Sequence, residues 1–197
     1  MRKFWIATLA AAVLASSPSQ AINTRKVWDG STAITSFGCW THNTSNYGQV
    51  ITVPKKRHTL GNFSFFVSGP NVGGQMTVRA EVYAWDALHL MPTGTALWES
   101  DPRTIAYKDA NYHRATFSPN VSVTHGAQYI LFLTTDKDPD SCVNYYLYWA
   151  GVPVGTYGGG HFYYLNNTGG DPSAWTTATW SSYIYDAAFT AKLPDGP

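Results

Sequence analysis

Gln128-Tyr129-Ile130-Leu131-Phe132-Leu133 is apolar at alternate positions on both sides, with Tyr129, Leu131 and Leu133 against Ile130 and Phe132. A strand with one wet face alternates apolar with polar residues, so this one is expected at the centre of a sheet, covered on both faces. Two other stretches show the one-sided pattern. Val78, Ala80, Val82 and Ala84 oppose Arg79, Glu81, Tyr83 and Trp85. Toward the C-terminus Tyr183, Tyr185, Ala187, Phe189, Ala191 and Leu193 share one face, with Asp186, Thr190 and Lys192 on the other. Period-2 alternation predicts strands in both places.

Further strands are expected over 47–53, 60–67, 95–99, 114–117, 121–123, 145–150 and 161–166. Turn residues separate them, as in Gly69-Pro70-Asn71, Pro92-Thr93-Gly94 and Asn167-Thr168-Gly169-Gly170. No window longer than about ten residues keeps a helical period. The expected fold is all-β: one two-sheet antiparallel sandwich, jelly-roll-like, over residues 22–197, with a β-barrel as the alternative.

Composition narrows the partners. Of 197 residues 44% are hydrophobic and 13% charged, which suits a folded extracellular β-protein rather than a disordered chain. A formal net charge of +1 supplies no field for a polyanion, so nucleic acid is not an expected partner.

The N-terminus reads as a leader. Arg2 and Lys3 precede an apolar run from Phe4 to Ala15, and Ser19 and Ala21 fit cleavage after Ala21, with a cut after Ser17 as the alternative. Twelve helical residues rise only about 18 Å, short of a hydrocarbon core of about 30 Å, so residues 1–21 are expected to be a signal peptide rather than an anchor. No other long apolar run follows, and the mature protein is expected to have no membrane span. Losing Arg2 and Lys3 turns the formal charge to −1. Export also favours a disulfide between Cys39 and Cys142, the two cysteines of the chain. It would close a loop of roughly 100 residues, worth about 4 to 5 kcal/mol; two unpaired thiols are the alternative.

The strands also carry a resemblance. Tyr47-Gly48-Gln49, Thr52-Val53-Pro54, Asn62-Phe63-Ser64-Phe65, Val82-Tyr83-Ala84-Trp85-Asp86, Gly94-Thr95-Ala96-Leu97-Trp98, the 128–133 stretch, Gly158 to Tyr164 and Asp186-Ala187-Ala188-Phe189 resemble bacterial secreted sandwich proteins of the PEP-CTERM or choice-of-anchor kind. The resemblance covers most of residues 47–191 and implies fold and secretion, not chemistry. After Leu193 the chain reads Pro194-Asp195-Gly196-Pro197, without the sorting tail of that group, so the expectation is a secreted, extracellular or periplasmic protein.

Catalytic signatures are scarce. The sequence has no G-x-S-x-G elbow, no H-E-x-x-H and no P-loop. Its glutamates are Glu81 and Glu99; an ion pair with Arg79 accounts for Glu81 without general-acid work. The expectation is therefore a protein that is not an enzyme, a hydrolase being the weaker alternative. Asp136, Asp138 and Asp140 stand at alternate positions and raise a structural calcium site, although the segment lacks the EF-hand glycine and final glutamate. No other cofactor is implied.

Aromatic side chains supply the binding hypothesis. Trp175 and Trp180 lie among Asp171, Pro172, Ser173, Thr176, Thr177 and Ser181, in a segment without strand alternation; Tyr157 sits amid glycines, and His161 follows Gly158-Gly159-Gly160. Rings on polar loops stack on sugar faces while nearby polar groups bind hydroxyls. Trp175, Trp180, Tyr157, His161 and Asp171 are thus the candidate site for a glycan or surface polymer, which Tyr146 and Tyr148 would extend. The competing role for each tryptophan is packing at a sandwich end. A structural or adhesive protein that self-associates is the second functional reading.

Overall fold

The computed structural model describes residues 20–38, 44–70, 74–138, 145–167 and 170–194. Within them run β1 (Gln20–Asn23), β2 (Ala33–Gly38), β3 (Thr44–Thr52), β4 (Thr59–Leu60), β5 (Asn62–Ser68), β6 (Met76–Asp86), β7 (Met91–Glu99) and β8 (Arg103–Ile105). They are followed by β9 (His113–Phe117), β10 (Val121–Ser122), β11 (Gln128–Thr134), β12 (Tyr146–Pro153), β13 (Phe162–Asn166), β14 (Ser181–Ser182), β15 (Tyr185–Ala187) and β16 (Phe189–Leu193). All pairings are antiparallel, and the architecture is the expected all-β, two-layer sandwich. No helix among the described residues is long and apolar enough to cross a membrane.

One layer is β7-β6-β11-β3-β13-β14 and the other is built on β1-β16-β5-β9, extended through β12 to β2 and β15. A single pair, Gly38 with Thr44, joins β2 to β3, so hydrogen bonding passes from one layer to the other. The alternation read from the sequence sorts the side chains as expected. Val78, Ala80, Val82, Tyr129, Leu131 and Leu133 meet Phe63, Phe65, Phe117, Phe189 and Leu193 in the core between the layers.

β11 is central and buried on both faces, between β3 and β6. Its other face, Ile130 and Phe132, joins Val50, Tyr83, Trp85, Tyr163 and Leu165 in a second cluster outside the sandwich proper. Gly48 makes that cluster possible. It lies directly across from Phe132, and a Cβ there would stand 2.5 Å from the Phe132 Cβ, so the bare backbone gives the phenyl ring its place.

One difference from the sequence reading has a plain cause. The expected continuous strand 183–193 breaks at Ala188, because β15 pairs with β12 while β16 crosses to β5. Strand β1 pairs with β16, Gln20 opposite Leu193. Cys39, Cys142 and Asp140 lie outside the described residues.

Candidate functional site

The two loop tryptophans are covers, not contact rings. Asp171 opens a 3-10 turn, Pro172–Thr176, by accepting from the Ser173 amide at 2.9 Å, and Pro172 supplies a preset φ in the first turn. The turn lays Trp175 over Phe132 and Tyr83, and Trp180 over Phe132 and Trp85, all in edge-to-face contact. Trp180 donates its amide to the Leu90 carbonyl and its indole N–H to the Trp175 carbonyl. Each tryptophan keeps 1% of its surface exposed. The sugar platform expected on Trp175 and Trp180 is therefore corrected: burying the open face of Phe132 and Ile130 outweighs leaving the indoles in water. Asp171 is likewise occupied, its second oxygen accepting from Ser173 Oγ at 2.7 Å, and these bonds hold its carboxyl below the usual range.

Of the three aspartates raised for calcium, Asp136 and Asp138 are among the described residues and Asp140 is not. Asp136 Oδ2 accepts from Trp175 Nε1 at 2.7 Å, Asn167 Nδ2 at 2.7 Å and Asn46 Nδ2 at 2.9 Å. Asp138 instead turns to Arg79 Nε at 2.8 Å. No cluster of three His, Cys, Asp or Glu side chains arises among the described residues, which do not include Asp140.

Glu81 and Glu99 face each other across β6 and β7, with Lys137 between them. Lys137 Nζ donates to Glu81 Oε1 at 3.2 Å and to Glu99 Oε2, while Arg79 Nη1 binds Glu99 Oε1 at 2.9 Å. Glu81 has no exposed surface, and burial raises its carboxyl to about 7 against the opposing pull of Lys137. A raised carboxyl is a general-acid property. Here, however, an ammonium fills the space between the acids, which is the arrangement of a structural ion network.

Tyr157 and His161 belong to a different place from the tryptophans. The 154–160 loop is clamped by Asp186, buried on β15, whose Oδ2 accepts the amides of Gly155 at 3.0 Å and Tyr157 at 3.2 Å. Tyr157 packs on Phe189 of the inner core and its hydroxyl meets the Thr52 amide at 3.2 Å and carbonyl at 3.3 Å. His161 is half exposed, with Nδ1 3.9 Å from Asp186 Oδ1. Tyr157 also lines a cleft of about 330 Å³ with Ile22, Lys26, Val27 and Pro54. The five expected site residues thus divide between the outer cluster and this clamped loop, and do not form one surface. Tyr146 and Tyr148 contact one another edge to face on β12, apart from both.

A tyrosine edge is what the sequence reading missed. After β14 the chain crosses from one layer to the other, and on this crossing Tyr183 contacts Tyr164 of β13 at 6.2 Å and Tyr185 at 5.9 Å between ring centres. Behind them Tyr47 is buried, touching Tyr164, Phe162, Phe37 and Trp149. Burial raises the Tyr47 phenol, and the nearby Tyr183 and Tyr164 raise it further, so the three phenols converge. Tyr164, Tyr183 and Tyr185 all pack on the core yet remain half exposed. Their hydroxyls make no hydrogen bond among the described residues. The exposed Ser181, Ser182 and Ile184 border them. The only available signal was the choice of tyrosine rather than leucine or valine on an inward-facing alternation.

No protein-family model and no curated protein matches the chain. A similar solved structure is that of the cysteine protease and lectin-like domains of Cwp84, a surface layer associated protein of Clostridium difficile, at 13% identity and a TM-score of 0.45. The match covers 78% of this chain and 33% of that one, so the chain spans about a third of that structure's length.

Proposed function

We propose that the protein is an exported, non-catalytic module that binds carbohydrate through Tyr164, Tyr183 and Tyr185. One observation carries this reading: a row of three phenol rings, Tyr164 against Tyr183 and Tyr183 against Tyr185, anchored on the core, partly exposed, and with hydroxyls that make no hydrogen bond among the described residues. Fixed aromatic faces bind sugar rings with little loss of side-chain entropy, and unpaired hydroxyls supply the polar half of recognition. Export rests on the leader expected over residues 1–21. The test is a glycan array followed by titration of the retained ligand. Tyr183→Ala and Tyr185→Ala should each weaken binding by about tenfold or more in a chain that still unfolds cooperatively, at a lower melting temperature because each ring packs on the core. An array without a ligand, or variants that bind as the parent does, overturns the proposal.

Ile184, 69% exposed between two of these tyrosines, favours a second reading in which the same edge joins copies of the chain. Concentration-dependent light scattering that Ile184→Ser abolishes would support it.

A further inference from the structure

We infer that the cleft beside β1 is a second binding site, for an acidic sugar chain that bears carboxylates; it is separate from the tyrosine edge and does not rest on the reading of that edge.

The cations come together through pairings that the fold fixes. Lys26 lines the cleft itself, with Ile22, Val27, Pro54 and Tyr157. Lys192 lies directly across from Ala21 in the pairing of β1 with β16, and both are exposed, so its side chain leaves the same face of the sheet as that lining residue. Pro54, also in the lining, begins a tight turn closed by the Arg57 amide on the Pro54 carbonyl at 3.3 Å, with the exposed Lys55 and Lys56 at its tip. Both ends of the turn are tied down: Val53 donates to the Ala127 carbonyl and accepts from the Gly126 amide, and the Val123 amide bonds to the His58 carbonyl. Lys56 has a φ of 64°, in the left-handed region where glycine is the unstrained choice, so a charge stands where a bare backbone would fit more easily. Lys26, Lys55, Lys56 and Lys192 have no ion-pair partner among the described residues, whereas Arg79 and Lys137 are each held by two carboxylates.

The formal charge of +1 for the whole chain hides this grouping, because the four lysines are brought together from three distant segments. Ammonium groups around a recess of about 330 Å³ call for an anion, and the recess itself calls for an apolar face. A uronic acid sugar has both, with ring C–H groups for Pro54 and Tyr157 and a carboxylate for the lysines. A lipid surface is held instead by apolar side chains that project from the protein, and here Ile22, Pro54 and Tyr157 line a hollow. One lysine against one carboxylate in water is weak, so affinity requires several contacts along a chain, which Lys26, Lys192 and the 55–56 tip supply from different sides of the cleft. Cleavage after Ala21, as expected of the leader, would add the Ile22 ammonium to the same lining.

The experiment uses the full chain. Oligogalacturonates of one to six sugars, the matching neutral galacto-oligosaccharides and single-stranded DNA of equal charge are titrated calorimetrically; vesicles of phosphatidylglycerol and phosphatidylcholine are tested by sedimentation. The expected result is oligogalacturonate binding that strengthens about tenfold from one sugar to four and weakens about tenfold or more as salt rises from about 50 to about 300 mM. It should be lost in the double variant Lys55→Glu, Lys56→Glu, whose changes are both exposed and leave the melting temperature near the parent's, and be unchanged in Tyr183→Ala. Absence of oligogalacturonate binding, binding that survives the charge reversal, or equal or tighter binding of the neutral sugars, the DNA or the vesicles overturns the inference. None of these outcomes touches the tyrosine edge, whose failure is read from the array and from Tyr183→Ala.

Discussion

Trp175 donates its indole N–H to the buried carboxylate of Asp136 at 2.7 Å, and this bond fastens the 170–180 segment across the outer face of the β7-to-β14 layer. The same oxygen accepts from Asn46 on β3 and Asn167 after β13, so one carboxylate ties the cover to two neighbouring strands. Removing either partner exposes or orphans the others. Trp175→Ala should cost about 3 to 5 kcal/mol as a large buried ring lost to a cavity. Asp136→Ala should cost more than about 2 kcal/mol through three unanswered donors. Urea denaturation measures both, and a change below about 1 kcal/mol in either would contradict the structural role argued for the cover.

Gly48 should tolerate no side chain. Its Cβ position lies 2.5 Å from the Phe132 Cβ and 2.9 Å from the Leu131 carbonyl, both in the central strand β11. Gly48→Ala should destabilise by about 3 kcal/mol or more and loosen the Trp175 cover, read as a shift in tryptophan fluorescence with the loss of stability. Unchanged stability would mean that β3 and β11 are less closely apposed than described.

Glu81 should make stability fall as pH rises. Its folded carboxyl sits at about 7 against an ordinary 4.5, because burial penalises the charge. Between those values the unfolded chain has lost its proton while the native chain still holds it, so folding loses ground with increasing pH and levels off above about 7. The span amounts to roughly 3 kcal/mol, and Glu81→Gln should flatten it. Chemical denaturation of both proteins from pH 4.5 to 8 checks the sign; parallel curves would show that Glu81 ionises normally.

Asp186 should govern the 154–160 loop. Asp186→Ala leaves the Gly155 and Tyr157 amides without their acceptor, costing about 2 kcal/mol or more, whereas Asp186→Asn keeps an oxygen in place and should cost less. Hydrogen exchange at Gly155 and Tyr157 should quicken in that order, at least tenfold for alanine. Equal exchange in all three proteins would place the loop's restraint elsewhere, in the Tyr157 hydroxyl at Thr52.

The pattern of residues by itself determined the layers. Alternation in 78–85 and 128–133 told which side chains enter the core, because strand geometry sends successive Cβ atoms to opposite faces whatever the partner strand. The doubly apolar 128–133 stretch even announced that something must cover its second face. What covers it was not legible: Trp175 and Trp180 sit in a polar segment whose local sequence is equally good for a solvent-facing loop, and only the empty surface over Phe132 and Ile130 draws them in. The tyrosine edge is hidden for the opposite reason. Tyr183 and Tyr185 alternate like core residues and do pack on the core, but the chain changes layers between β14 and β15, and that crossing leaves each of them partly exposed. Register along a strand is a local property that a sequence carries; which strand becomes an edge depends on long-range pairing, and exposure at that edge was decided by the tertiary structure alone.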